Sequence, residues 1–291
     1  MIVDLKGIVT PLITPFKANE DIDVEGYKRN IDFQVENKVH GLVCLATAGE
    51  SASLSFEEKK KLIDVAVDQT NDRIPLLIGT GGTEMRETMA LTKYSEDAGA
   101  DCIFLITPYF YKFTQNEIID YMKTVANSVD LHVLIYNSTY AGCPLDPRAI
   151  KELCEVDNIK SLKEGNVLQM VEVIRETRGR LNVFTSRDTY LFDCLALGGA
   201  GAIAFAANVA PKMLVELYDN YLKNNIEKAR EMQFKLLPLI LKLVSRSYPA
   251  PLKAAMNMLG MAAGPPRAPL TPLSKEEMSG LKRELQSLAL L

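Results

Sequence analysis

The chain has 291 residues, 47% of them hydrophobic and 24% charged, with a formal net charge of −4. That balance fits one large α/β domain, or a barrel with a small appendage, and carries no electrostatic footprint for nucleic acid or an anionic membrane surface. With only two histidines, a three-histidine zinc site is excluded, and acid–base work falls to Tyr, Lys, carboxylates or hydroxyls.

The first residues, Met1 to Lys6, lack the basic and apolar regions of a signal peptide, and no apolar run reaches the roughly 18 residues needed to span a bilayer. The five cysteines, at 44, 102, 143, 154 and 194, include no CxxC pair. A reducing, cytoplasmic setting without structural disulfides is therefore expected. From the N-terminus, short apolar runs alternate with longer amphipathic segments. The runs are Gly7–Phe16, Gly41–Ala46, Pro75–Thr80, Cys102–Thr107, His132–Tyr136, Ile159–Leu162, Leu181–Phe184 and Ala202–Phe205. Several are nearly continuous in Ile, Val, Leu, Cys and Phe, the mark of parallel strands buried on both faces. Helices are expected over Val24–Asn37, Phe56–Gln69, Glu84–Ala98, Asn116–Ser128, Pro147–Glu155, Val167–Thr177, Thr189–Leu197 and Pro211–Lys223. Ser55-Phe56-Glu57-Glu58 reads as a capping box, Thr114 and Asp146 read as N-caps, and Gly99 and Gly179 stand where helices should stop. The pattern predicts an α/β chain forming a (β/α)8 TIM barrel over residues 1–224. After residue 224 only helical patterning remains, over Ile226–Ser245, Ala250–Gly260 and Ser274–Leu288. Residues 225–291 are expected to be a C-terminal three-helix extension packed on the barrel.

Active sites in this architecture lie at the carboxyl ends of the strands, so polar residues there carry the functional reading. Lys163 sits where the sixth apolar run gives way to a loop. A lysine in an apolar barrel mouth loses hydration, which favours its neutral form and lets it attack a carbonyl to form a Schiff base. The bland reading is a solvated loop lysine. After the second run, Thr47-Ala48-Gly49-Glu50-Ser51 offers backbone amides, a hydroxyl and the start of a following helix to hold a carboxylate; an ordinary turn is the alternative. The fourth run ends in Pro108-Tyr109-Phe110-Tyr111 and the fifth in Tyr136-Asn137. A tyrosine opposite a lysine can relay a proton. The seventh run ends in Thr185-Ser186-Arg187-Asp188, and the small side chains of the eighth, around Ile203, leave room for substrate near the lysine.

These residues bring a family into view. Gly7-Ile8-Val9-Thr10-Pro11, Thr14-Pro15-Phe16, Thr47-Ala48-Gly49-Glu50-Ser51, Tyr136-Asn137, Lys163-Glu164, Gly198-Gly199-Ala200-Gly201, Asn208-Val209-Ala210-Pro211 and Arg267-Ala268-Pro269-Leu270-Thr271-Pro272-Leu273 occur in the right order and spacing. Over essentially its whole length the chain resembles the dihydrodipicolinate synthase/N-acetylneuraminate lyase family of class I aldolases. The resemblance implies a 2-oxo acid substrate, usually pyruvate, condensing with Lys163. The imine is an electron sink that lets carbon three act as an enamine or lets a C–C bond break, so neither metal nor organic cofactor is implied. It also implies Tyr136 as proton shuttle, linked to Thr47, and the loop at Thr47, Ala48 and Gly49 as the carboxylate site. Ile203, Ser186 and Tyr140 are expected to line the substrate site, and a homotetramer, a dimer of dimers, is the expected assembly.

Three departures bear on the acceptor. Family members carry two adjacent hydroxyl residues where this chain has Thr47 then Ala48. Synthases place a relay tyrosine where this chain has Phe110, leaving Tyr109 or Tyr111 as substitutes. They also carry an arginine shortly after Tyr-Asn, where this chain reads Ser138-Thr139-Tyr140-Ala141-Gly142-Cys143; Arg187 is a candidate substitute. The leading expectation is a Schiff-base lyase or aldolase joining pyruvate to, or releasing it from, a hydroxyl-rich aldehyde. The alternatives are 4-hydroxy-tetrahydrodipicolinate synthase, a dehydratase of a deoxy-sugar acid working through the same imine, and a non-catalytic 2-oxo acid binder.

Overall fold

The structure, a computed structural model, describes residues 3–138, 143–177 and 179–291. Eight parallel strands close into a barrel: β1 (Gly7–Pro11), β2 (Gly41–Cys44), β3 (Leu76–Gly79), β4 (Cys102–Ile106), β5 (His132–Asn137), β6 (Ile159–Glu164), β7 (Asn182–Thr185) and β8 (Gly201–Ile203). Each strand neighbours the next in sequence, and β8 returns to β1 with Gly7 opposite Gly201, Ile8 opposite Ala202 and Val9 opposite Ile203. This seam demands glycine. A Cβ on Gly201 would stand 2.0 Å from the Gly7 carbonyl oxygen, and its φ of +147° lies where L side chains rarely go.

Around the barrel run α1 (Val24–Glu36), α2 (Phe56–Thr70), α3 (Met85–Ala98), α4 (Gln115–Ala126), α5 (Pro147–Leu153), α6 (Val167–Thr177), α7 (Leu191–Ala196) and α8 (Pro211–Leu222). Their starts follow the chemistry written in the sequence. Ser55 accepts from the Glu58 amide while Glu58 accepts from the Ser55 amide, and Thr114 and Glu117 form the same reciprocal pair. Gly99 ends α3 in the left-handed region at φ +101°. Beyond α8 come α9 (Ile226–Leu243), α10 (Ala250–Met258) and α11 (Lys275–Ser287). Two apolar layers result. Leu5, Val9, Val43, Leu77, Phe104, Leu134 and Phe184 fill the barrel interior, and the outward faces of the strands pack against the helices.

Several boundaries differ from the sequence expectation, for physical reasons. β1 stops at Pro11, which has no N–H to extend the ladder, although Leu12 still donates to the Val43 carbonyl at 2.9 Å. Phe205, expected in the eighth strand, instead opens a 3-10 turn over Phe205–Asn208. β6 runs past Leu162 to Glu164, so Lys163 lies inside a strand rather than in a loop. The helix expected from Phe56 forms as α2, and between it and β2 lie two single 3-10 turns, Thr47–Gly49 and Ser51–Ser53.

Candidate active site

Side chains alternate across a strand, and this rule places the two central groups. On β5, His132, Leu134 and Tyr136 share the inward face; on β6, Ser161 and Lys163 do. Low in the barrel His132 Nε2 meets the Ser161 hydroxyl at 2.9 Å. Nearer the mouth Tyr136 stands in register beside Lys163. The Lys163 Nζ lies 4.1 Å from the Tyr136 ring centroid and 5.5 Å from that of Phe104. Both residues are nearly dry, with Lys163 7% and Tyr136 5% exposed.

The next residues on each strand lock this pairing. Asn137 Nδ2 donates to Glu164 at 2.9 Å and to the Leu145 carbonyl at 3.0 Å, while its Oδ1 accepts from the Leu145 amide at 2.8 Å. Glu164 also accepts from the Asn166 amide at 2.8 Å. Burial raises the Glu164 carboxyl above its ordinary range, and these donors satisfy it. The Tyr136–Lys163 geometry therefore rests on a hydrogen-bonded outer pair, not on packing alone.

One cavity at the barrel mouth is bordered by Thr47, Ala48, Tyr136, Lys163, Ser186 and Ile203, six of the residues expected from sequence. A 3-10 turn leaves its first amides without partners inside the turn; here they belong to Thr47 and Ala48. Gly49 stands just behind, where its carbonyl accepts the Thr14 hydroxyl at 2.7 Å. A Cβ on Gly49 would come within 3.1 Å of the Leu12 carbonyl oxygen, so a side chain there would push this turn a few tenths of an ångström away from the end of β1. Thr47 makes no hydrogen bond to Tyr136 here; the two share the cavity wall. Tyr109 borders a second cavity that also touches Thr47 and Tyr136. Tyr111 is 60% exposed and packs edge-on against Phe110 and Phe113. Tyr140 lies outside the described residues.

Residues not assigned a role from sequence complete the site. Asp188 is fully buried at the cavity edge; its Oδ2 accepts from the Ala206 amide at 2.7 Å and its Oδ1 has no hydrogen-bond partner. Burial pushes its carboxyl up to about 7, with the Ala206 amide and the Lys163 charge pulling the other way. Ile240, Leu241 and Val244, from the end of α9 and the residue after it, and Tyr248 roof the cavity. Glu50, behind the turn, forms an ion pair with Lys253 of α10 at 2.7 Å, with both side chains 1% exposed. Desolvation brings the Lys253 ammonium down to about 8. Helix α10 thus clamps the loop that presents the Thr47 and Ala48 amides. Among the described residues no group of His, Cys, Asp and Glu is arranged to hold a metal ion.

Comparison with known proteins adds to this geometry. The model of the Dihydrodipicolinate synthetase family matches residues 4–288. A 4-hydroxy-tetrahydrodipicolinate synthase of Methanocaldococcus jannaschii is 38% identical over 98% of this chain and 99% of its own length. One from Methanopyrus kandleri is 36% identical over 99% and 97%. Among solved structures, the dihydrodipicolinate synthase of Thermotoga maritima superposes with a TM-score of 0.95 at 32% identity, covering 99% of each chain. YagE, a prophage protein of the dihydrodipicolinic acid synthase family from E. coli K12, was solved in complex with pyruvate. It gives a TM-score of 0.95 at 32% identity and covers 99% of this chain and 100% of its own.

Proposed function

Because the chain belongs to the dihydrodipicolinate synthetase family, whose members are pyruvate-dependent lyases of the class I aldolase type, we propose that it joins pyruvate through an imine on Lys163 to a hydroxyl-rich aldehyde, or runs the reverse cleavage. The observation that carries this reading is the dry Lys163 Nζ, 4.1 Å from the Tyr136 ring, in a cavity edged by the Thr47–Ala48 turn.

The steps follow from the groups present. The Lys163 amine attacks the pyruvate carbonyl, and the hydroxyl of the resulting carbinolamine leaves as water. Tyr136 gives and takes the protons of these steps, since the inward-facing His132 is bonded to Ser161 deep in the barrel. Loss of a proton from carbon three gives the enamine, which attacks the aldehyde carbon. Hydrolysis of the product imine returns Lys163. The free amides of Thr47 and Ala48 hold the pyruvate carboxylate, as oriented N–H groups do for anions. Tyr109, beside the Tyr136 cavity, is the better placed substitute for the relay position occupied by Phe110. Ser186 and Ile203 shape the acceptor side.

Assembly as a homotetramer of two dimers belongs to the same proposal. Phe110 is 86% exposed with a left-handed φ of +81°, and Tyr111 stands beside it, an aromatic ridge that a neighbouring subunit would cover. The setting is cytoplasmic in this reading. Its support is that no described helix is long and apolar enough to cross a membrane and that the five cysteines are free.

The names of the relatives favour a second reading, 4-hydroxy-tetrahydrodipicolinate synthesis from aspartate semialdehyde. The segment Ser138–Cys143 contains no arginine to hold that acceptor's carboxylate. Such a charged hydrogen bond contributes on the order of 1.5–3 kcal/mol, about ten- to more than a hundredfold in selectivity. The deciding experiment compares kcat/KM for aspartate semialdehyde and for sugar-derived aldehydes at saturating pyruvate, with product masses recorded. The proposal expects the sugar-derived aldehydes to be preferred. A tenfold or greater preference for aspartate semialdehyde puts the synthase reading in its place.

A further inference from the structure

Just past β7 the chain is pinned. The Arg187 amide donates to the Thr185 hydroxyl at 3.1 Å, and the Arg187 carbonyl accepts from the Tyr190 amide at 2.9 Å and from the Thr185 hydroxyl at 3.2 Å. The side chain is also fixed, because Nε donates to the Gly165 carbonyl at 2.9 Å. That bond uses one edge of the guanidinium and leaves both Nη atoms available. No carboxylate among the described residues pairs with them. Asp188, the next residue, is instead bonded to the Ala206 amide. Arg187 is exposed to solvent yet borders the Lys163 cavity. Its anchor, Gly165, lies two residues beyond Lys163, roughly 7 Å along the strand direction.

An immobilised guanidinium with a free pair of donors, at the border of the cavity that holds the reacting amine, has the chemistry of an anion clamp. We infer that Arg187 holds a carboxylate or phosphate at the far end of the acceptor, so that the aldehyde is a hydroxyaldehyde ending in an anion. This inference rests on the imine reading of Lys163. The anion falls at the β7 end of the mouth, three strands round the barrel from the β2 end that carries the Thr47–Ala48 turn, so the two anions do not compete for one site.

The test uses the full chain and three aldehydes with pyruvate: glyceraldehyde, glyceraldehyde 3-phosphate and tartronate semialdehyde. The wild type should prefer at least one anionic aldehyde over glyceraldehyde, and the preference should shrink as ionic strength rises, because Arg187 is solvent-exposed. The two anionic arms separate phosphate from carboxylate. In Arg187→Ala the ratio of kcat/KM for the preferred anionic aldehyde to that for glyceraldehyde should fall about tenfold or more, chiefly through KM, with partial rescue in Arg187→Lys. An unchanged ratio in Arg187→Ala, or a wild type that prefers neither anion, overturns the inference while leaving the imine reading intact. Failure of wild-type Lys163 to be trapped by pyruvate and borohydride overturns both.

Discussion

Replacing Asp188 by Asn should make the protein less sensitive to pH, by an amount that follows from the structure. The Asp188 carboxyl is fully buried and pushed from 3.8 up to about 7, with desolvation the largest cause. The sign follows from linkage. A carboxyl whose folded pKa exceeds its unfolded value binds its proton more tightly in the native state. Its stability contribution is complete below about 3.8 and is lost as pH rises through about 7. Between pH 5 and pH 8 that amounts to roughly 3 kcal/mol. Asn cannot ionise, so this loss disappears. Its Oδ1 can still accept from the Ala206 amide, but its Nδ2 stands where the native Oδ1 has no partner, at a pH-independent cost of about 1–3 kcal/mol. The absolute stability of Asp188→Asn therefore depends on two opposing effects, whereas its pH dependence depends on one. Urea unfolding of both proteins at pH 5 and pH 8, at one protein concentration, isolates it. The wild type should lose roughly 3 kcal/mol more than the variant over that interval. Equal losses would mean that Asp188 does not titrate near neutrality, and the burial argument would fail.

Other substitutions probe the remaining parts of the site. Tyr136→Phe should lower turnover by roughly 10²–10⁴-fold, the usual effect of a positioned acid or base, with slower pyruvate trapping; near-normal turnover rejects the shuttle role. Ala48→Ser restores a hydroxyl at the cavity wall, and steady-state kinetics should show a pyruvate KM lowered by about tenfold; a KM that is unchanged or raised counts against Ala48 facing the carboxylate. Lys253→Met strands Glu50 in the interior and should cost about 3–5 kcal/mol in denaturant unfolding, partly recovered by adding Glu50→Gln. A loss below about 1 kcal/mol would show the pair to be better solvated than its 1% exposures imply.

Much of this organisation is written locally. The barrel is legible because each buried strand is an apolar run bounded by capping signals, as at Ser55 and Thr114. Lys163 stands out because a charge closes one of those runs. Strand ends are less legible, since hydrophobicity marks burial and not the hydrogen-bond ladder. Leu12 and Phe205 are as apolar as strand residues, yet both lie outside the strands. Lys163 was expected in a loop because it is charged, and the sheet includes it because its pairing with Tyr136 and Phe184 continues. Long-range partners leave no local mark. Glu50 and Lys253 are 203 residues apart, and Asp188 is one of 37 acidic residues until the fold buries it beside Lys163. The sequence signal that could have pointed to Asp188 was its place just past the seventh apolar run.

The central claim is that Lys163 carries the imine. The chain holds a second buried lysine, Lys253, whose ammonium is brought down to about 8, so burial alone does not identify the nucleophile. Incubation with pyruvate and borohydride followed by peptide mass spectrometry separates the two. The account predicts a single reduced pyruvyl adduct on the peptide containing Lys163 and none on the peptide containing Lys253. An adduct on Lys253 or any other lysine, or no adduct at any pyruvate concentration, would contradict it.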